Sequence, residues 1–290
     1  MNRKDGYLVA THIGEKTVRK YGIDKLPVDP IALAKRLGIE VQPKPASAEG
    51  VSGMLLRVGD QFGITYATHI QNIGFQHFSV AHELGHYFLP GHIEAVLGST
   101  DVHQSHAGFA SGNRYEMEAD HFAAGLLMPT FLFAKAMQSA GNGLTSIDSL
   151  ADLCQTSRTA TSMRYAQITQ DPVAIVLSIG DRVDYCFMSD TLREVDSLEW
   201  IRKGSPLPKN SATFEFNQDQ SRVLAGERYE DTSDIRDWFN GPHNFDMTEE
   251  VVGLGRYGKS LTVLTAVDLP DPEEFEEENE MIESWQPKFR

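Results

Sequence analysis

Cysteine and long apolar runs are both scarce in this 290-residue sequence. Its two cysteines, Cys154 and Cys186, lie too far apart to suggest a disulfide framework or a thiolate zinc site, so we expect two buried thiols. No run of eighteen apolar residues occurs, which excludes a helix that spans a membrane. The first 25 residues are charged throughout and lack the apolar core of a signal peptide, which predicts a cytoplasmic protein.

Basic residues are outnumbered, 26 against 41 acidic ones, and the net charge is −15. Nine of the acids fall within Asp268–Ser284, which contains no Lys or Arg and leaves −6 for the rest of the chain. We interpret residues 269–290 as a solvated acidic tail. Because an acidic surface repels phosphate backbones, the composition argues against nucleic-acid binding.

The residue pattern predicts an α+β protein with a domain boundary near residue 170. Before this boundary, apolar periodicity and turn residues predict helices around Val18–Ile23, Asp29–Gly38, Phe78–Phe88 and Asn113–Met128, a hairpin at Met54–Arg57 and Phe62–Ala67, a loop over residues 91–112, and two short helices within Thr145–Ile168. Beyond it, strands are expected at Val173–Leu177, Val183–Met188, Thr213–Phe216 and Leu261–Ala266.

The expected helix Phe78–Phe88 contains the motif His82-Glu83-Leu84-Gly85-His86. Residues four apart share one face of a helix, so both imidazoles can reach a single metal ion. Glu83 lies beside them, close enough to remove a proton from water whose pKa a zinc ion has lowered. This spacing is typical of a zinc peptidase in which Glu83 is the general base.

A catalytic zinc ion requires a third protein ligand, and Glu116-Met117-Glu118-Ala119-Asp120 at the start of the next helix offers one. Glu116 and Asp120 share a face, so one of them can bind the metal while the other accepts a hydrogen bond from a ligand histidine. Glu118, on another face, is the alternative ligand.

The tetrahedral oxyanion of such a reaction would need a hydrogen-bond donor, for which His121 and Tyr115 are both candidates. We expect the remaining histidines, His92 and His103 among them, at the surface or in packing positions and not on the metal.

Three segments, PVDPIALAKRLGIEV, FSVAHELGHYFL and EMEADHFAAGLLMP, resemble the ImmA/IrrE family of zinc metallo-endopeptidases. In that family the two histidines of HExxH and the glutamate of ExxA[DN] bind zinc, and the HExxH glutamate is catalytic. Carried over, the metal ligands are His82, His86 and Glu116, and the base is Glu83. Zn²⁺ is the expected ion, with another divalent metal such as Mn²⁺ as an alternative.

The resemblance also implies a domain order: a zincin-like peptidase domain at residues 1–140 and a helix-turn-helix-like unit at 141–169. The segment EVVGLGRYGKSLTVL resembles the end of long, IrrE-like members, which implies a mixed α/β, GAF-like sensor domain at 170–268 with an unknown ligand. Family substrates are Xre-type helix-turn-helix repressors, which are cleaved to derepress stress or mobile-element genes. A protein partner is therefore expected, and a membrane is not.

Two further motifs resemble those of other functional classes, a dinucleotide site and a DNA-binding unit. Gly253, Gly255 and Gly258 fit GxGxxG, but a β-rich stretch follows them where a dinucleotide site needs a helix, so we interpret them as a turn. The rival hypothesis is a transcription regulator that binds DNA through residues 146–168 and holds only a structural zinc ion. Arg158 and Arg164 are the only basic residues in that segment, which is sparse for a DNA-binding face.

Overall fold

The structure is a computed structural model that describes residues 3–44, 50–98, 100–106, 113–241 and 244–266. The predicted acidic tail at 269–290 and the end of the predicted loop, 107–112, lie outside these residues. The chain divides into two compact units, residues 1–165 and 166–290. The predicted α+β class is confirmed, since both units combine helices with a sheet.

The first unit interleaves helices with a four-stranded sheet. Its helices are α1 (Arg3–Lys20), α2 (Pro30–Arg36), α3 (Ile73–Phe88), α4 (His92–Leu97), α5 (Arg114–Leu127), α6 (Thr130–Met137), α7 (Gly143–Cys154) and α8 (Arg158–Ile168), the last of which runs across the division between units. Its strands are β1 (Glu40–Lys44), β2 (Val51–Val58), β3 (Gln61–Ala67) and β4 (Val102–His106), in the order β1-β3-β2-β4. Strand β1 is parallel to β3, while β2 is antiparallel to β3 and β4.

Local sequence explains where these elements begin. The side chain of Asp29 accepts hydrogen bonds from the first amides of α2, and Pro30 fills the helical position that needs no N–H donor. Asn72 and Asn113 cap α3 and α5 in the same way. In the predicted hairpin, Gly59 adopts a φ of 62°, which a turn between β2 and β3 requires.

Helix α3 lies at the centre of the first unit, because it packs on β2 and β3 with one face and on α5 with another. Its residues Val80 and Leu84 are fully buried, as are Phe122 and Leu126 of α5. Helix α1 packs on α5 through Gly125, where an added Cβ would lie 2.2 Å from the Thr11 carbonyl oxygen. The two helices that carry the motif residues are therefore held within the core.

The second unit is built on a five-stranded antiparallel sheet. Its strands are β5 (Val173–Ile179), β6 (Arg182–Met188), β7 (Arg228–Asp234), β8 (Asp246–Gly253) and β9 (Ser260–Ala266), in the order β6-β5-β9-β8-β7. Its short helices are α9 (Asp190–Arg193), α10 (Ala212–Asn217), α11 (Gln220–Ala225) and α12 (Ile235–Phe239). The glycines of GxGxxG occupy the turn between β8 and β9, as predicted.

Two sequence predictions were wrong. Thr213–Phe216 alternates like a strand but forms part of α10, because Ser211 caps the helix and the Thr213 amide and hydroxyl donate to the buried carboxylate of Glu249. The predicted loop from residue 91 contains α4 and β4 instead. Local pattern did not reveal β4 because this strand depends on pairing with β2, a partner distant in sequence.

Candidate metal centre

Helix α3 places His82 and His86 one turn apart with their side chains turned to the same point. The two Nε2 atoms lie 3.1 Å apart, and both residues are buried. Their rings meet edge to face at a centroid distance of 4.8 Å. This is the arrangement that the i, i+4 spacing predicted.

Helix α5 brings Glu116 to the same point. One carboxylate oxygen of Glu116 lies 3.3 Å from His82 Nε2, and the other lies 3.5 Å from His86 Nε2. Donor atoms that bind zinc tetrahedrally at about 2.0–2.1 Å are about 3.3 Å from one another. The triangle formed by His82, His86 and Glu116 therefore fits a small divalent ion.

The close approach of α3 to α5 depends on Gly85 and Ala119. A Cβ added at Gly85 would lie 3.0 Å from Ala119 Cα and 3.1 Å from the Ala119 carbonyl oxygen. Because the motif residues and Glu116 lie on these two helices, the small residues between the helices set the distance across the donor triangle.

Asp120 lies behind His82. Its Oδ1 is 2.8 Å from His82 Nδ1, so it can accept the proton of the ring nitrogen that faces away from Glu116. Burial alone lowers the pKa of His82, but hydrogen bonds to Asp120 and Glu116 outweigh burial and raise this pKa to about 10. For Glu116, burial alone would raise the pKa, but the hydrogen bonds to His103 and His82 hold this pKa well below its usual range.

Glu83 faces strand β2 and is fully buried. Neither of its carboxylate oxygens accepts a hydrogen bond of normal geometry. Gly53 leaves room for it, because a Cβ at that position would lie 2.6 Å from Glu83 Oε1. Burial raises the pKa of Glu83, and the neighbouring His82 offsets only part of this rise. A carboxylate with a raised pKa is suited to accept a proton near neutral pH.

Two histidines that we expected at the surface or in packing positions lie at this centre. His103, on β4, has its Nε2 3.1 Å from Glu116 Oε1 and its ring 4.5 Å from that of His86. Ligand atoms of Glu83, His86 and His103 also lie within 4.8 Å of one another, so His103 is close to both His86 and the expected base. His92, at the start of α4, lies 3.1 Å from His86 through their Nδ1 atoms.

The other candidates make different contacts. Glu118 turns to His92 and Arg114, with its oxygens 3.0 Å and 2.7 Å from their nitrogens. His121 stacks on Tyr7 at a centroid distance of 4.7 Å, and Tyr115 meets the ring of His92 edge-on at 5.0 Å. Sequence spacing gave no signal for the contacts of His92 with Glu118 and Tyr115, or of His121 with Tyr7, because each of them joins separate elements.

A family model identifies the domain that contains this donor set. Residues 34–165 match the family model of the IrrE N-terminal-like domain of peptidase family M78. The chain therefore contains an IrrE N-terminal-like domain, which confirms the resemblance inferred from the sequence. The matched residues include the donor triangle and Glu83.

Among solved structures, a Mycobacterium tuberculosis transcriptional regulator has a similar fold, with a TM-score of 0.59 and 15% sequence identity. The similarity covers 91% of this chain and 81% of that chain, and at this identity it concerns the fold alone. No curated protein sequence matches the chain. Within the part of the chain that the structure describes, none of the helices has the length and apolar character needed to cross a bilayer.

Proposed function

We propose that this protein is a metal-dependent endopeptidase in which His82, His86 and Glu116 bind Zn²⁺, or another divalent ion such as Mn²⁺. The single observation that carries the proposal is the donor triangle of 3.1–3.5 Å beside the buried carboxylate of Glu83, which lacks a hydrogen-bond partner of normal geometry. A structural zinc site is more often closed by four side chains, whereas three ligands with a base alongside are typical of catalysis.

A divalent ion held here would supply Lewis-acid polarisation of the scissile carbonyl and lower the pKa of a nearby water. Glu83 would remove a proton from that water while the water oxygen forms a bond to the carbonyl carbon. The same carboxyl would then give the proton to the amine as the C–N bond breaks. The raised pKa of Glu83 favours the first transfer, because a more basic carboxylate removes a proton from water more readily.

His103 is our candidate for the donor to the developing oxyanion, in place of His121 and Tyr115. Its ring lies beside both His86 and Glu116, while His121 stacks on Tyr7 instead. A donor near the reacting carbonyl stabilises the charge that develops in the transition state.

The resemblance to the ImmA/IrrE family supports a particular class of substrate. We propose an Xre-type helix-turn-helix repressor, whose cleavage would derepress stress or mobile-element genes in the cytoplasm. The similar fold of a protein described as a transcriptional regulator agrees with a role in gene control. We further propose that α7 and α8 form the helix-turn-helix-like unit of residues 141–169, and that the five-stranded sheet belongs to a GAF-like sensor domain whose ligand is unknown.

Direct DNA binding through α7 and α8 is the rival function, and the arginines of this segment argue against it. Arg158 bonds Asp148 at 2.5 Å. Arg164 is only 6% exposed and bonds the Met128 carbonyl oxygen and the carboxylate of Glu15. Arginines engaged in such contacts are poorly placed to neutralise phosphates.

The test incubates the zinc-loaded protein with purified Xre-type repressors and with an unrelated protein of similar size. Mass spectrometry should find defined fragments of one repressor, and a chelator should abolish them. A salt-dependent footprint on promoter DNA, with every repressor left intact, would support the rival function instead.

A further inference from the structure

The side of His86 that faces away from the donor triangle carries a second interaction. Its Nε2 points to His82 and Glu116, while its Nδ1 lies 3.1 Å from Nδ1 of His92. His92 is only 1% exposed, although it begins a short helix that directly follows a turn. A buried histidine in contact with another histidine needs a defined proton on each ring.

The contacts continue outward from His92. Its Nε2 lies 3.0 Å from Glu118 Oε2, and the other oxygen of Glu118 accepts from Arg114 Nε at 2.7 Å. The Arg114 side chain is 55% exposed, so the series of bonds starts at the donor triangle and ends in solvent. The ring of Tyr115 meets the ring of His92 at 88° and limits its rotation.

The chemistry of the outer groups fixes the direction of every bond. Arg114 can only donate and the Glu118 carboxylate can only accept, so Nε2 of a neutral His92 must donate to Glu118. Its Nδ1 then carries a lone pair and can only accept, which assigns the proton between the rings to His86 Nδ1. His86 is thereby left with its Nε2 lone pair directed at the donor triangle, which is the form that binds a metal ion.

The contact between His86 and His92 joins residues that are close in sequence. Helix α3 ends at Phe88, and a turn at Gly91, with a φ of 77°, leads into α4, which packs against α3. His92 thus meets His86, which precedes it by six residues. For His82 the corresponding acceptor is Asp120, so each ligand histidine has its own partner.

We propose that His92, oriented by Glu118, is a positioning residue that holds His86 in its metal-binding tautomer. This inference rests on the proposed metal site. It assigns a role to Glu118, the alternative third ligand, in which Glu118 acts on the site through His92 without binding the ion itself.

The first experiment measures Zn²⁺ and Co²⁺ affinity by competition with a chromogenic chelator, together with the melting temperature of each variant. His92→Leu removes the acceptor and should weaken binding about 10–100-fold, as loss of such partners typically does. His92→Asn offers an amide oxygen near the position of Nδ1 and should recover part of the loss. His69→Leu, at an exposed histidine of the same unit, is the matched control.

The outcomes separate this inference from the proposed function. A wild type that binds neither ion refutes the metal site, and the inference falls with it. If the wild type binds and His92→Leu binds equally well, only the inference is refuted. If the His92 variants differ from the wild type in melting temperature but not in metal affinity, His92 is purely structural and the inference is refuted.

A second experiment observes the tautomers directly. Long-range ¹H–¹⁵N spectra of the metal-free protein should show His86 protonated at Nδ1 and His92 protonated at Nε2. Glu118→Leu removes the acceptor of the His92 proton and should leave His92 as a mixture of tautomers. A wild-type His92 protonated at Nδ1 would overturn the proposed order of donors and acceptors.

Discussion

Gly53→Ala should separate the catalytic base from the metal ligands. The new Cβ would lie 2.6 Å from Glu83 Oε1, while ordinary contact begins at 3.4 Å, so the carboxylate would have to move by about 0.8 Å. The strand cannot readily withdraw, because Gly53 is paired with Tyr66 of β3 on one side and Ser105 of β4 on the other. The displacement therefore falls on the Glu83 side chain.

A misplacement of about 1 Å can reduce a catalysed rate about 100-fold, and we expect a loss of this order for peptide cleavage. The three atoms nearest to the added methyl group all belong to Glu83, so metal content should stay at the wild-type level. Overpacking of a buried site should lower the free energy of unfolding by about 1–3 kcal/mol.

The matched control is Gly63→Ala on the neighbouring strand β3. There the added Cβ has its nearest contact at 3.7 Å and meets ordinary van der Waals distances, so activity should be unchanged. Cleavage rate, metal content and urea unfolding would be measured on the same preparations. Wild-type cleavage by a folded Gly53→Ala protein would refute the inference that Glu83 acts from this position.

Three further predictions concern packing and charge. Gly85→Ala should push α5 away from α3 and weaken zinc affinity at least 10-fold, as measured by chelator competition, because its Cβ would lie 3.0 Å from Ala119 Cα. Glu15→Gln should lower the free energy of unfolding by about 3 kcal/mol at neutral pH, because it leaves the buried Arg164 without its carboxylate. Burial would raise the pKa of Glu15, but Thr130 and Arg164 outweigh burial and lower this pKa below its ordinary value of 4.5. The carboxylate therefore stabilises the protein above pH 4.5. In unfolding curves, the stability difference between wild type and Glu15→Gln should vanish as the pH falls through the folded-state pKa. Cys154 and Cys186 should not react with a thiol reagent at pH 8 until the protein is unfolded, because burial raises the pKa of each to about 12.

The donor set could be predicted from sequence because helical spacing alone decides much of its geometry. His82 and His86 share a face by periodicity, and the apolar stripe of α5 indicates which side of that helix is buried. The start of α2 was equally accessible, since Asp29 and Pro30 carry a capping signal that depends only on local bonds.

The histidines around the donor set could not be predicted in the same way. His103 reaches Glu116 because β4 pairs with β2, and that pairing depends on residues about fifty positions away. His92 had a local signal in the segment HELGHYFLPGH, where a Pro-Gly turn returns the chain to its own helix. Thr213 shows the opposite case, in which a buried carboxylate overrides a strand-like pattern.

Glu83→Gln tests the central claim most directly. Glutamine has nearly the size and shape of glutamate but cannot take a proton from water, so the protein should fold and retain one zinc ion per chain. Loss of a general base reduces rates about 10²–10⁴-fold, which should remove visible cleavage of a repressor that the wild type cuts. Metal content and fragments would be measured in the same samples. A Glu83→Gln protein that holds zinc and cleaves at the wild-type rate would contradict the account.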